Sequence, residues 1–206
     1  MHNSVTKFIG FLLLVSGVSL LLFPYFFGDS DRSLPPPETN SVTQSATQTV
    51  EQLPEQPILP IAISIPAIEV EAEVEQVGIN ENGNMSVPSS YQTVGWFEPG
   101  FKPGSFGNAV LAGHVDNSLG LDGVFKKLDL VLVGDTIELE DESGVSQTYV
   151  VTEIESIDYR TDNIEYIFGL SDVPQIRLIT CSGDWLSEYK TYDQRLIVTA
   201  VLEDYL

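Results

Sequence analysis

Short β-branched and apolar runs, turn-forming dipeptides between them and a scarcity of amphipathic helical patterning predict a mostly β domain from residue 58 onward. A mostly antiparallel closed barrel or sandwich of about seven or eight strands fits this texture best. The runs are ILPIAISI (58–65), NAVLAGH (108–114), DTIELE (135–140), TYVVTEIESI (148–157), QIRLITC (175–181) and RLIVTAVL (195–202). Asn82-Gly83, Pro99-Gly100, Pro103-Gly104 and Ser143-Gly144 punctuate them as turns. Only VFKKL (Val124 to Leu128) and NIEYIFGL (Asn163 to Leu170) read as short helices.

The chain ahead of this domain has two other textures. Phe8 to Phe27 contains no charged residue, and as a helix it is about 30 Å long, enough to cross the hydrocarbon core of a bilayer. It is longer than a usual signal-peptide core, ends in aromatics and lacks a small-x-small cleavage site, so an uncleaved signal-anchor is expected over residues 1–27. Lys7 precedes the span while Asp29 and Asp31 follow it, which puts the N-terminus in the cytoplasm and the remainder outside the cell membrane. Residues 28–57 are rich in Pro, Ser, Thr and Gln without aliphatic periodicity, a composition expected to form an extended or disordered tether. The catalytic or binding domain is expected over 58–206.

Composition excludes several functions. Lys and Arg total 9 against 30 Asp and Glu, a formal net charge of −21, and such a field repels nucleic-acid phosphates. The acidity otherwise reads as a solubilising surface. A single cysteine, Cys181, rules out an internal disulfide and a cysteine-built zinc site. No Asp, Glu and Asn cluster has the spacing of a defined calcium loop, and no metal or cofactor is expected.

Taken alone, a lone cysteine reads as an inert, buried small hydrophobe. Its neighbours change that reading. Cys181 closes an apolar strand and is followed by Ser182-Gly183-Asp184, which puts it where a strand gives way to a loop. His114 occupies the same kind of position at the end of NAVLAGH, and apart from His2 it is the only histidine. Thiol-based acyl transfer needs a thiolate, a proton donor for the leaving amine and a donor facing the oxyanion. Arg195 opens the final strand after a loop's length of chain, and its permanent charge suits the third role. A surface ion pair is the competing reading of Arg195. Arg177, about 13 Å of extended chain before Cys181, is the rival arginine and the weaker candidate.

The runs LAGHVDNSLGLDGVF, RLITCSG and YDQRLIVTAVL resemble the three catalytic segments of bacterial sortases, in their order and approximate spacing. IPAIEVEAEVEQVG, GNMSVP and VGWFEPGFKPGSFGNAVLAGH are similar to the barrel entry of class F-type or class E-like sortases. The likeness covers nearly all of residues 61–202. It implies an eight-stranded β-barrel, attack by Cys181 between Thr and Gly of an LPxTG-like sorting signal, His114 as acid and base, and Arg195 as oxyanion stabiliser. Thr180 matches the Thr before the family's nucleophile, where a role in shaping the substrate site is implied. Arg177 departs from the uncharged residue often found there. The implied partners are secreted proteins bearing sorting signals and an amine acceptor on a peptidoglycan precursor or a pilin.

Two other readings compete. A cysteine peptidase that releases its acyl-enzyme to water uses the same trio, although the α/β caspase-like kind is excluded by the strand-rich pattern and the missing Q-A-C-x-G signature. The other is a tethered binding domain without activity.

Overall fold

A computed structural model describes residues 56–206 except 118, 162 and 163. The expected membrane span and nearly all of the expected tether lie outside those residues. Among the described residues no helix is long and apolar enough to cross a membrane.

Eight strands close into a barrel: β1 (Pro60–Ile65), β2 (Val70–Val77), β3 (Val94–Phe97), β4 (Gly107–Gly113), β5 (Thr136–Asp141), β6 (Ser146–Asp158), β7 (Pro174–Leu186) and β8 (Thr191–Leu202), with one short helix, α1 (Ile164–Phe168). Their order around the wall is β1-β2-β3-β4-β7-β8-β6-β5. Closure removes free strand edges. The pairings are antiparallel except β2 with β3 and β4 with β7, which are parallel. Each parallel pair needs a long return connection, and the one from β4 to β7 encloses β5, β6 and α1.

Every predicted run lies largely within a strand. Two strands lay outside the predicted set. β2 alternates buried Val70 and Val74 with exposed Glu71 and Glu73 before the period breaks at exposed Gln76 and buried Val77, and its outward positions are filled by a residue type that is depleted in sheets. β3 has four residues, too few to show a period, although it buries Trp96. VFKKL is not a helix: Val124 to Lys127 form turns that lead into a 3-10 turn over Leu128–Leu130, because Phe125 and Leu128 are both drawn into the core. α1 falls inside the expected NIEYIFGL segment.

Alternation along β7 and β8 divides the wall into two faces. Ile176 and Leu178, with Leu196, Val198, Ala200 and Leu202 opposite, belong to the sealed apolar interior around Trp96 and Tyr149. Arg177, Ile179 and Cys181 point the other way, onto an outer face that α1 partly covers. Asn108 ties α1 down there, its backbone N–H donating to Gly169 O at 3.1 Å and its Nδ2 to Tyr166 O at 2.9 Å.

Candidate active site

The register of three neighbouring strands sets the site. In the parallel pair Ala112 lies beside Ile179, so two residues further on His114 follows β4 at the level of Cys181. In the antiparallel pair Cys181 faces Arg195 directly. Histidine, cysteine and arginine therefore succeed one another across β4, β7 and β8. Cys181 does not end its strand: β7 runs on to Leu186 past an irregularity between Ser182 and Trp185, and β8 begins at Thr191, ahead of Arg195. The added rungs make a hairpin that projects beyond the end of β4 and forms one wall of a cleft of about 440 Å³. Tyr91, His114, Asp116, Cys181, Trp185 and Tyr192 are among its lining residues.

Thr180 is buried, and its Oγ1 donates to Gly113 O at 2.8 Å. This bond joins the residue before Cys181 to the residue before His114. The side chain of Thr180 points to the opposite face of β7 from Cys181, so its contribution is positional.

A compact turn holds the backbone of His114. Phe125 N donates to His114 O at 2.9 Å and Gly123 N to Val115 O at 3.0 Å, while the side chain of Asn117 accepts from the N–H groups of Leu119 and Leu121. Gly123 is required: a Cβ there would sit 2.3 Å from His114 O. The imidazole leans on Tyr91, ring centres 4.9 Å apart.

Arg195 folds toward the hairpin. Its Nη1 donates to Tyr192 O at 3.0 Å and Gln194 O at 2.8 Å, and its Nη2 to Thr191 Oγ1 at 2.9 Å. The hydroxyl of the same Tyr192 donates in a short bond to Asp116 Oδ2 on the His114 loop. Tyr192 thus couples the segment carrying the imidazole to the one carrying the guanidinium. The bond to Asp116 pushes the Tyr192 phenol up to about 12. Burial pushes the Cys181 thiol above its ordinary range; the charge of Arg195 opposes this and that of Asp116 adds to it. Asp116 and Tyr192 make no sequence-local signal, since the two meet only when the barrel closes.

No cluster of metal-ligating side chains occurs among the described residues. What the arrangement offers is a thiol with an imidazole beside it, a cation across the ladder and an open cleft, a set suited to acyl transfer.

An eight-stranded barrel with a half-buried thiol on its wall, between an imidazole and a guanidinium, defines a class of thiol-bearing β-barrels. The chain belongs to the sortase family, a family of cysteine transpeptidases: the family described as "Sortase domain" matches residues 63–203. Streptococcus agalactiae sortase C1, in the crystal structure of its complex with MTSET, is 25% identical over 68% of this chain and 65% of its own, at a TM-score of 0.52. Sortase A from Corynebacterium diphtheriae is 20% identical, covering 71% of this chain and 61% of its own at a TM-score of 0.54. The Clostridium perfringens sortase D5 transpeptidase is 24% identical, covering 69% and 78% at a TM-score of 0.52. This chain thus spans less than two thirds of the length of the first two. No curated protein matches it significantly in sequence.

Proposed function

We propose that the chain is a membrane-anchored cysteine transpeptidase. It cleaves an LPxTG-like sorting signal between Thr and Gly and passes the Thr acyl group to an amine of the cell envelope. The observation that carries the reading is the succession of His114, Cys181 and Arg195 across three adjacent strands. Burial favours the neutral thiol at rest, so the thiolate forms as its proton passes to His114. The sulfur attacks the Thr carbonyl carbon, and the oxyanion is met by the Arg195 guanidinium, swung from its bonds to Tyr192, Gln194 and Thr191. His114 protonates the leaving Gly amine, and the C–N bond breaks to leave a thioester on Cys181. An incoming amine then gives its proton to His114 and attacks the thioester, releasing the thiolate. Thr180 acts by holding the two strand ends in register.

In this reading residues 8–27 span the cell membrane with the N-terminus in the cytoplasm, and 28–57 tether the catalytic domain, 58–206, outside. The entry strands support a class F-type or class E-like member. The substrates are sorting-signal proteins, and the acceptor is a peptidoglycan-precursor or pilin amine.

The test is product partition by the full chain in detergent, acting on an LPxTG peptide at rising amine concentration. Ligated peptide that grows with amine supports transpeptidation. Hydrolysis alone at every amine concentration would make the protein a peptidase that uses the same site.

A further inference from the structure

Two segments that carry the proposed chemistry outrun the sheet. β4 ends at Gly113, so His114 lies beyond the pairings that fix that strand, and its backbone is held by the turn through Gly123 and Phe125. On the other side of the cleft, the β7–β8 hairpin beyond Ser182 and Gln194 pairs with itself alone, Trp185 facing Tyr192 and Leu186 facing Thr191. β6 pairs with β8 no further than Asp158 and Gln194, and Tyr159 N adds one bond to Asp193 O at 3.0 Å. A two-stranded hairpin is marginally stable by itself. Its base is stiffened locally: Asp193 Oδ1 accepts from Asp184 N at 2.7 Å, and Gly183, at a left-handed φ of +80°, leaves the space in which a Cβ would strike that carboxylate. Nothing in these contacts sets how far the hairpin stands from His114.

One hydrogen bond among the described residues crosses from the hairpin to the His114 loop, the short one from the Tyr192 hydroxyl to Asp116 Oδ2. A phenol donating to a carboxylate makes a charge-assisted bond, about twice as strong as a neutral one. Both residues are half-buried, and Trp185 stands edge-on to the phenol ring at 5.3 Å between ring centres, which limits its freedom to swing away. The main chain of the same Tyr192 holds Arg195 through its carbonyl oxygen. This double duty matters during acyl transfer. When the guanidinium leaves Tyr192 O, Gln194 O and Thr191 Oγ1 for the oxyanion, the hairpin loses those three bonds together. The bond to Asp116 does not involve the guanidinium and survives the move.

We propose that Tyr192 and Asp116 are positioning residues: the bond between them fixes the width of the cleft and keeps His114 aligned with Cys181 while Arg195 moves. Misplacing reacting groups by about 1 Å costs on the order of 10²-fold in rate, so the bond acts on turnover and not on affinity. The role rests on the transpeptidase reading and adds to it two residues that act through His114 and Arg195. Bond and charge are separable by substitution. Asp116→Asn removes the carboxylate charge and keeps an oxygen that accepts from the phenol, whereas Asp116→Ala removes both. Tyr192→Phe keeps the ring beside Trp185 and removes only the donor.

The test is a mutant cycle on the full chain in detergent, with an LPxTG peptide, excess primary amine and ligated product read by mass spectrometry. Tyr192→Phe should lower kcat by on the order of tenfold with KM changed less than about twofold. Asp116→Asn should exceed Asp116→Ala in kcat by on the order of tenfold, and that ratio should fall to about one in the Tyr192→Phe background. Alkylation of Cys181 by iodoacetamide at alkaline pH, where the thiol is ionised, should be unchanged in Tyr192→Phe. Undiminished kcat in Tyr192→Phe, equal rates for Asn and Ala at 116, or a ratio that persists without the phenol overturns the role and leaves the transpeptidase reading intact. A loss of alkylation that matches the loss of kcat places the defect on the thiol and also overturns it. If Asp116→Ala fails to fold, the kcat and KM of Tyr192→Phe decide alone. No turnover by folded wild-type protein removes both readings.

Discussion

The two faces of β7 teach different lessons although they are cut from one strand. Inward, Ile176 and Leu178 are sealed among apolar neighbours, and the buried hydroxyl of Thr180 is satisfied by Gly113 O. Outward, Arg177, Ile179 and Cys181 alternate with them, and the polar groups there are desolvated or left without partners. The inner face is built for stability and the outer face stores unsatisfied chemistry. Changes on one should move unfolding, and changes on the other should move turnover.

Cys181→Ala gives the largest effect. Transpeptidation should fall by about 10⁴-fold or more, while thermal unfolding shifts by less than about 1 kcal/mol in stability. A collapse of stability would return Cys181 to the core and erase the contrast between the faces. Leu178→Ala is the mirror image and should cost about 2–5 kcal/mol in denaturant unfolding, since it opens a cavity in a wholly buried site. Turnover per folded molecule should change little. Gly123→Ala sharpens the comparison, because the added Cβ collides with His114 O rather than with the core. It should lower kcat by on the order of tenfold or more, with a smaller loss of stability than Leu178→Ala.

The smallest effect concerns protons. Burial and Asp116 raise the Cys181 thiol while Arg195 lowers it. In the free protein the rate of alkylation by iodoacetamide should therefore follow a titration centred above the ordinary thiol value. Asp116→Asn removes a charge that disfavours the thiolate, so the midpoint should move down in pH. Arg195→Gln removes one that favours it, so the midpoint should move up. Equal profiles in all three proteins would deny the electrostatic coupling.

Much of the outer face was legible in the sequence because it is local. His114, Cys181 and Arg195 each stand next to a short, nearly continuous apolar run, and the runs place them on strands without reference to the rest of the chain. What was hidden depends on remote partners. The parallel pairing of β4 with β7 follows from a long connection, and the Tyr192–Asp116 bond exists only when the β7–β8 hairpin leans over the His114 loop. β2 is absent from the predicted strand runs because Glu fills most of its outward positions, and β3 because four residues show no period. VFKKL looked helical because Val124, Phe125 and Leu128 have helical spacing, whereas a turn is enough to bury Phe125 and Leu128. The extension of β7 past Cys181 was masked by Ser182-Gly183-Asp184, which reads as a loop and proves to be an irregular stretch of ladder.

The most direct test of the central claim is the intact mass of the full chain, in detergent, after brief exposure to an LPxTG peptide without added amine. A thioester adduct equal in mass to the peptide's acyl portion ending at Thr, mapped to Cys181 and discharged by a primary amine as ligated peptide, is the result this account predicts. Turnover of the peptide by Cys181→Ala at the wild-type rate, with no adduct at any time in the wild-type protein, would contradict it.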